Sequence, residues 1–165
     1  MKIALRPWEK SDLDRLIQLA DNPNIAANLM DRFPHPYTRE AGENFIKMAI
    51  SGQPASVLAI TANEELVGGI GVHPQSDVYR KNAELGYWLA EEYWGKGIIT
   101  EAIRLIVSYA FDNFDINRIY ARPFGGNIAS QRVLEKNGFH LEAKLRGTFY
   151  KNEQYLDELI YGIRS

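Results

Sequence analysis

Two glycines flank a lysine at Gly95-Lys96-Gly97, between an apolar segment and a segment with helical periodicity. Glycine lets the backbone approach a ligand closely, and the first turn of the following helix presents unpaired N–H groups and the positive end of the helix dipole. A phosphate-bearing anion is a natural ligand of such a turn. The sequence therefore predicts an anion-binding site where this helix begins.

Two better-known glycine motifs do not match these residues. A Walker loop needs Ser or Thr after its glycine-lysine pair and a glycine five residues before it, and the segment around Gly95 has neither. A dinucleotide fingerprint needs a third glycine at the position of Thr100. Both nucleotide-binding interpretations therefore fail. The glycine pair alone is equally consistent with a strand-to-helix turn that has no chemical role.

A second motif runs from position 127 to position 139. Asn127 is a favourable helix N-cap, Leu134 has the spacing of an inward-facing residue, and Asn137-Gly138 predicts a left-handed helix end before a strand begins at Phe139. Together with the glycine loop, this motif resembles the GNAT acyl-CoA N-acyltransferases. In that family the loop binds the pyrophosphate of coenzyme A, and the Asn-headed helix borders the pantetheine arm.

The resemblance is greatest to the branch that acetylates the N-termini of ribosomal proteins, through residues 127–130, 137–142 and 155–161. It implies acetyl-CoA as the acetyl donor. The cofactor-binding residues implied are Trp88, Leu89, Trp94, Gly95, Lys96, Gly97, Ile98, Ile99, Thr100, Asn127 and Ser130. Glu92 departs from the pattern, because the family usually has Arg or Gln at that place.

Transfer of an acetyl group from a thioester to an amine needs a neutral amine and a proton for the departing thiolate. The ribosomal-protein branch implies Ser130 as the acid, and a secondary helix cap is the alternative role of that serine. The family's usual tyrosine acid is replaced by Leu134, and the glutamate base of this branch by Phe149. Glu84, on the strand face opposite to Leu85, is the candidate base, with a solvated strand carboxylate as the alternative.

The acceptor is predicted to be a protein N-terminus or a small-molecule amine. Asp31, Arg32 and His35 lie in a proline-rich loop that overhangs the acceptor pocket in the family, and with Tyr87 they are the candidate substrate-binding residues. Aromatic residues are expected around the same mouth: Phe33, Tyr37, Tyr87, Trp88, Phe124, Phe149 and Tyr150. A CoA-binding module that has lost catalysis is the alternative function, because the usual acid and base are both replaced.

Composition narrows the classes of function further. The 165 residues predict one domain, 1–165, and the formal net charge of −2 gives no electrostatic footprint for nucleic acid. The absence of cysteine excludes an acyl-cysteine intermediate. The three histidines lack metal-ligand spacing, so no metal is expected. No signal segment or membrane span is recognised in the sequence, so we expect a cytoplasmic protein. We expect it to be a monomer or a homodimer.

Strands alternating with helices predict an α/β fold, a mixed sheet with helices on both faces. Strands are predicted at 2–6, 55–61, 66–72, 82–89, 118–122, 139–150 and 154–164, with helices opening at a Ser11–Asp14 capping box, covering 24–30, starting at Thr38, and spanning 97–114 and 127–136. A crossover through the 97–114 helix makes strands 82–89 and 118–122 parallel. The family resemblance implies a mostly antiparallel sheet in which this central parallel pair splays apart.

Overall fold

The computed structural model describes residues 1–165, the whole of the sequence. The chain forms seven strands and five α-helices. The strands are β1 (Ile3–Pro7), β2 (Val57–Ala62), β3 (Glu65–Pro74), β4 (Asn82–Leu89), β5 (Arg118–Ala121), β6 (His140–Lys151) and β7 (Gln154–Arg164). The helices are α1 (Leu13–Ala20), α2 (Pro23–Ala26), α3 (Arg39–Ser51), α4 (Ile98–Asn113) and α5 (Ile128–Lys136).

All seven strands form one sheet in the order β1-β2-β3-β4-β5-β7-β6. Every neighbouring pair is antiparallel except β4 and β5, which are parallel. The predicted mixed sheet with a single central parallel pair is therefore confirmed. Because a parallel pair requires a crossover, α4 connects its two strands across one face of the sheet.

Two apolar cores lie on opposite faces of this sheet. One contains Ile103 and Ile106 of α4 and Leu134 of α5, all fully buried. The other contains Leu16 of α1 and Ile46 of α3. Successive residues of β2, β3 and β4 contribute to opposite cores, as the two-residue period of a strand requires. The prediction of helices on both faces of the sheet, made from the periodicity of the sequence, is therefore confirmed.

Two predictions near the N-terminus are wrong. The capping box at Ser11 and Asp14 does not form, because Asp12 accepts the Glu9 backbone N–H at 2.9 Å and is held by both terminal nitrogens of the Arg6 guanidinium. The helix expected over 24–30 is only the single turn α2. A proline is favourable at the first position of a helix, where its missing N–H has no helical partner, so this helix begins one residue earlier than predicted.

The parallel strands separate immediately after they pair. Only Asn82, Ala83 and Glu84 of β4 pair with β5, and the rest of β4 continues alongside β3 alone. The chain after β5 stays instead with β7, through hydrogen bonds from Gly125 N to the Asp157 carbonyl and from Leu159 N to the Pro123 carbonyl. We call this divergence of β4 from β5 the fork. It is the splay that the family resemblance implied.

Candidate active site

The glycine loop lies at the N-terminus of α4, on the α4 side of the fork. Gly95 and Gly97 have φ angles of 73° and 77°, a region that side chains other than glycine rarely adopt. A Cβ atom at either position would meet no protein atom within 4 Å. The first helical hydrogen bond joins Glu101 N to the Gly97 carbonyl, so the N–H groups of the first turn point outward without helical partners. This geometry fits a pyrophosphate.

The other residues predicted to bind the cofactor take different positions around this loop. Lys96 lies over the Tyr93 ring at 5.4 Å, and the Trp94 indole N–H donates to the Leu89 carbonyl at 2.8 Å. The Ile98 side chain is buried in the core, so only its backbone faces the loop. Ile99 is half-buried, as is Thr100, whose carbonyl accepts from the Asn137 side chain at the end of α5.

Trp88 lies on the other face of the sheet. Its side chain packs in the core with α1 and α3, and its ring is 5.7 Å from that of Phe33. The side chain therefore borders the acceptor side of the fork. Glu92, where the family usually has Arg or Gln, is exposed.

Two hydroxyl groups meet beside the fork at the start of α5. The Asn127 side chain accepts from the Ser130 backbone N–H at 3.2 Å, which confirms Asn127 as the helix cap. The Ser130 hydroxyl is not used for capping and shares a hydrogen bond with the Tyr87 hydroxyl of β4. Burial raises the pKa of Tyr87 to about 12, and the hydrogen bond with Ser130 opposes that rise only in part. Both groups are therefore protonated at neutral pH.

An ionic cluster bridges the fork on the opposite face. The Arg122 guanidinium donates to both oxygens of Glu84, at 2.8 and 3.2 Å, and lies 3.6 Å from a carboxylate oxygen of Glu158 on β7. The hydrogen bond that Arg122 donates to Glu84, opposed by burial, raises the pKa of Arg122. Thr148 donates to the other oxygen of Glu158 at 2.8 Å. Two carboxylates share one guanidinium, so the cluster carries a net negative charge.

The remaining residues predicted to select the substrate divide into two groups. Asp31 accepts from Lys151 of β6 at 3.1 Å. Burial and then the positive charge of Arg32 lower the pKa of His73 on β3. His35 faces elsewhere, with Nδ1 3.5 Å from the Asp21 carboxylate at the end of α1. The loop thus brings Asp31 and Arg32 to the acceptor face but directs His35 toward α1.

Among the predicted aromatic residues, Phe124 and Phe149 pack against each other with tilted rings whose centroids are 5.1 Å apart. Phe149 is the residue that replaces the glutamate base of the ribosomal-protein branch. Leu134, which replaces the usual tyrosine acid, is fully buried in the core. Neither replacement contributes a titratable group.

Sequence reasoning missed three charged residues of this face: Arg122, Glu158 and Lys151. Their partners lie 38, 36 and 120 residues away along the chain, and no local pattern links residues so far apart.

No group of three His, Cys, Asp or Glu side chains is arranged to hold a metal ion. None of the helices has the length and hydrophobicity needed to span a membrane.

Residues 2–140 match the model of the acetyltransferase (GNAT) domain. The chain therefore belongs to the GNAT family of acetyltransferases, and it is an N-acetyltransferase by class.

Two relatives and one solved structure place it within the family. YdaF of Bacillus subtilis (strain 168), a candidate ribosomal N-acetyltransferase, is 32% identical over 98% of this chain and 90% of its own length. The spermidine N(1)-acetyltransferase of Escherichia coli (strain K12) is 27% identical over 93% of this chain and 81% of its own. The structure of RimL, a ribosomal L7/L12 alpha-N-protein acetyltransferase in complex with coenzyme A, superposes with a TM-score of 0.85 at 26% identity, covering 99% of this chain and 94% of RimL.

Proposed function

We propose that this chain transfers the acetyl group of acetyl-CoA directly to a primary amine, within one ternary complex. The observation that carries this proposal is the fork, which has the glycine loop and the Ser130–Tyr87 hydroxyl pair on one face and the Glu84–Arg122–Glu158 cluster on the other. An acyl donor and an amine can therefore approach one gap from opposite sides. The sequence contains no cysteine to carry the acetyl group between them.

On the donor side, the backbone of Gly95 to Thr100 would hold the pyrophosphate, since unpaired N–H groups and the helix dipole both favour an anion there. The bound donor supplies a thioester, whose acyl carbon accepts an amine. Ser130 is the group proposed to protonate the sulfur. Its hydroxyl is free of the capping role, and the Tyr87 hydroxyl behind it can replace the proton that it gives up.

On the acceptor side, the net negative cluster at the fork favours a cationic amine over a neutral or anionic acceptor. Glu84 and Glu158 are its carboxylates. The relatives support the same class of acceptor, because one is named for ribosomal proteins and another for spermidine. The proton-accepting role predicted for Glu84 stays a prediction. So do the single-domain organisation over residues 1–165 and the cytoplasmic location.

The proposal is tested by measuring the free thiol released from acetyl-CoA in the presence of different acceptors. Purified protein is incubated with acetyl-CoA and, in separate reactions, an N-terminal peptide beginning with Ser or Ala, spermidine, and a peptide whose N-terminus is already acetylated and which lacks lysine. Because the chain has no cysteine, every new thiol comes from coenzyme A. We expect release with at least one free amine and none with the blocked peptide. Binding of coenzyme A without acceptor-dependent release would identify a binding module in place of an enzyme.

A further inference from the structure

His73 lies on the acceptor face with a ring that no other residue binds. Its backbone pairs with Glu84 across the β3–β4 ladder, so the two side chains project from the same face of the sheet. The ring is half-buried, and neither of its nitrogens has a hydrogen-bond partner in the protein. His35, by contrast, faces the Asp21 carboxylate.

The surroundings of His73 leave room for a substrate. Gly86 is exposed and lies two residues beyond Glu84 on the same face of β4, and a Cβ atom there would meet no atom within 4 Å. Neighbouring strands are about 5 Å apart. Glu84 is the last residue of β4 that pairs with β5, so the fork begins at Glu84. His73 is its partner on the neighbouring strand and therefore lies about one strand spacing from the fork.

Glu84, the other group on this face with the chemistry to accept a proton, is already paired with Arg122. Both of its oxygens accept hydrogen bonds from Arg122, in the bidentate geometry that binds a carboxylate most strongly. Such a carboxylate can attract and orient an ammonium group while it keeps Arg122 as its partner. To take a proton, it would have to weaken that pair.

The charges around His73 favour its neutral form. Burial and then the positive charge of Arg32 lower the pKa of His73 below its ordinary 6.5, and the Glu84 carboxylate opposes them only in part. The imidazole is therefore uncharged at neutral pH. A neutral imidazole can accept a proton, whereas an imidazolium cannot.

Resting on the function proposed above, we infer that His73 is the group that takes the proton from the acceptor ammonium, while Glu84 and Arg122 position that ammonium at the fork. One proton moves from the ammonium to an imidazole nitrogen and then to solvent. The neutral amine forms a bond to the acyl carbon, and the carbon–sulfur bond breaks with its electron pair on sulfur. The nitrogen gives up a second proton, which balances the one that Ser130 delivers to the thiolate.

This assignment also favours one class of acceptor. An α-amino group has an ordinary pKa of about 7.7–8.0, and an alkyl amine such as that of lysine has one near ~10.4. Proton transfer to an imidazole with a lowered pKa is therefore uphill from either amine, and more so from the alkyl amine, whose pKa is about 2.5 units higher than that of the α-amine. An N-terminal α-amine is therefore the acceptor class that this base would deprotonate more readily than a polyamine.

The test compares kcat/KM against pH for the wild type, His73→Gln, Glu84→Gln and the control His140→Gln, in which an exposed histidine of β6 is changed. The acceptor is an N-terminal peptide. We expect His73→Gln to lower kcat/KM at neutral pH by about 10²-fold or more and to lose the acidic limb of the profile. The coenzyme A-induced thermal shift should stay unchanged in that variant. His140→Gln should match the wild type, and Glu84→Gln should raise KM with the acidic limb intact.

A second measurement, made on the wild-type protein, does not depend on turnover. Proton NMR of the wild type gives signals from only three histidines, which replacement of each in turn assigns. Adding the peptide to the coenzyme A-bound protein should shift the His73 signal and leave the His140 signal in place. An intact acidic limb in folded His73→Gln would overturn the inference, as would a His73 signal that the peptide does not move. If no amine supports turnover, the proposed transfer reaction fails, and the peptide-induced shift alone then decides whether His73 lies at an amine site.

Discussion

Substitution of Ser130 and Tyr87, which share a hydrogen bond, tests whether the role of Ser130 is catalytic or only structural. Three variants form the test: Ser130→Ala, Tyr87→Phe and the double variant. A neutral hydrogen bond of this kind contributes about 0.5–1.5 kcal/mol to stability, and for a chain of this length about 1 kcal/mol corresponds to about 2–4 °C in the melting temperature. Each single variant should therefore lose a few degrees. The double variant should lose less than the sum of the two, since both remove the same bond.

Turnover should respond much more strongly than stability. If the Ser130 hydroxyl protonates the thiolate, Ser130→Ala should lower kcat by about 10²–10⁴-fold, with little change in coenzyme A affinity. Tyr87→Phe should have a smaller effect, because the serine hydroxyl remains and water can restore its proton. The double variant should be no slower than Ser130→Ala.

The assay is the thiol-release measurement with an accepted amine, alongside thermal unfolding of each variant. Ser108→Ala, at an exposed serine of α4 that makes no side-chain hydrogen bond, is the control for the substitution itself. Wild-type kcat in Ser130→Ala, together with the expected loss in melting temperature, would refute the catalytic role. In that case the hydroxyl pair would only join β4 to α5.

Three further predictions follow from other parts of the site and the fold. Coenzyme A at a hundredfold excess over its Kd should stabilise the protein by about 2.7 kcal/mol, and Gly97→Val should abolish that shift, because its side chain would occupy the space in front of the α4 N–H groups; full affinity in a folded variant would refute the loop as the cradle. Glu84→Gln should raise KM and keep the acidic limb of the kcat/KM profile. Loss of that limb would show that Glu84, and not His73, is the base. Burial would raise the pKa of Asp12, but the hydrogen bonds from Arg6 and from the Glu9 backbone hold it below its ordinary value. The stability that Asp12 contributes is therefore present above about pH 3.9 and is lost as pH falls through the lower folded value. Asp12→Asn should therefore cost about 1–3 kcal/mol in denaturant unfolding at pH 7 and progressively less in acid, and an equal cost at all pH values would contradict the ion pair.

Much of the donor side could be predicted because its signals are local. Gly97 and the periodic residues after it determine where α4 begins, and Asn127 determines where α5 begins, within a few residues of sequence each. Turn geometry, helix capping and periodicity all act over this short range. The strand-helix-strand order around α4 was enough to predict the parallel pair.

The acceptor side could not be predicted to the same extent, because it is assembled from distant segments. Glu84 meets Arg122 only after β4 and β5 pair, and Asp31 meets Lys151 only when the β6–β7 hairpin packs against the loop after α2. Side-chain direction was a second obstacle. The two-residue period of β4 places Trp88 and its sequence neighbours on opposite faces of the sheet, but the sequence does not show which of those faces packs against α4.

The central claim is that donor and acceptor meet at the fork, and a crystal structure with coenzyme A and a bound acceptor peptide tests it most directly. We expect the pyrophosphate on the N–H groups at the start of α4 and the pantetheine arm between β4 and β5. The sulfur should lie within hydrogen-bond distance of the Ser130 hydroxyl, with the peptide amine on the face of Glu84 and His73. Coenzyme A bound elsewhere, or a sulfur far from the β4–β5 gap, would contradict the claim.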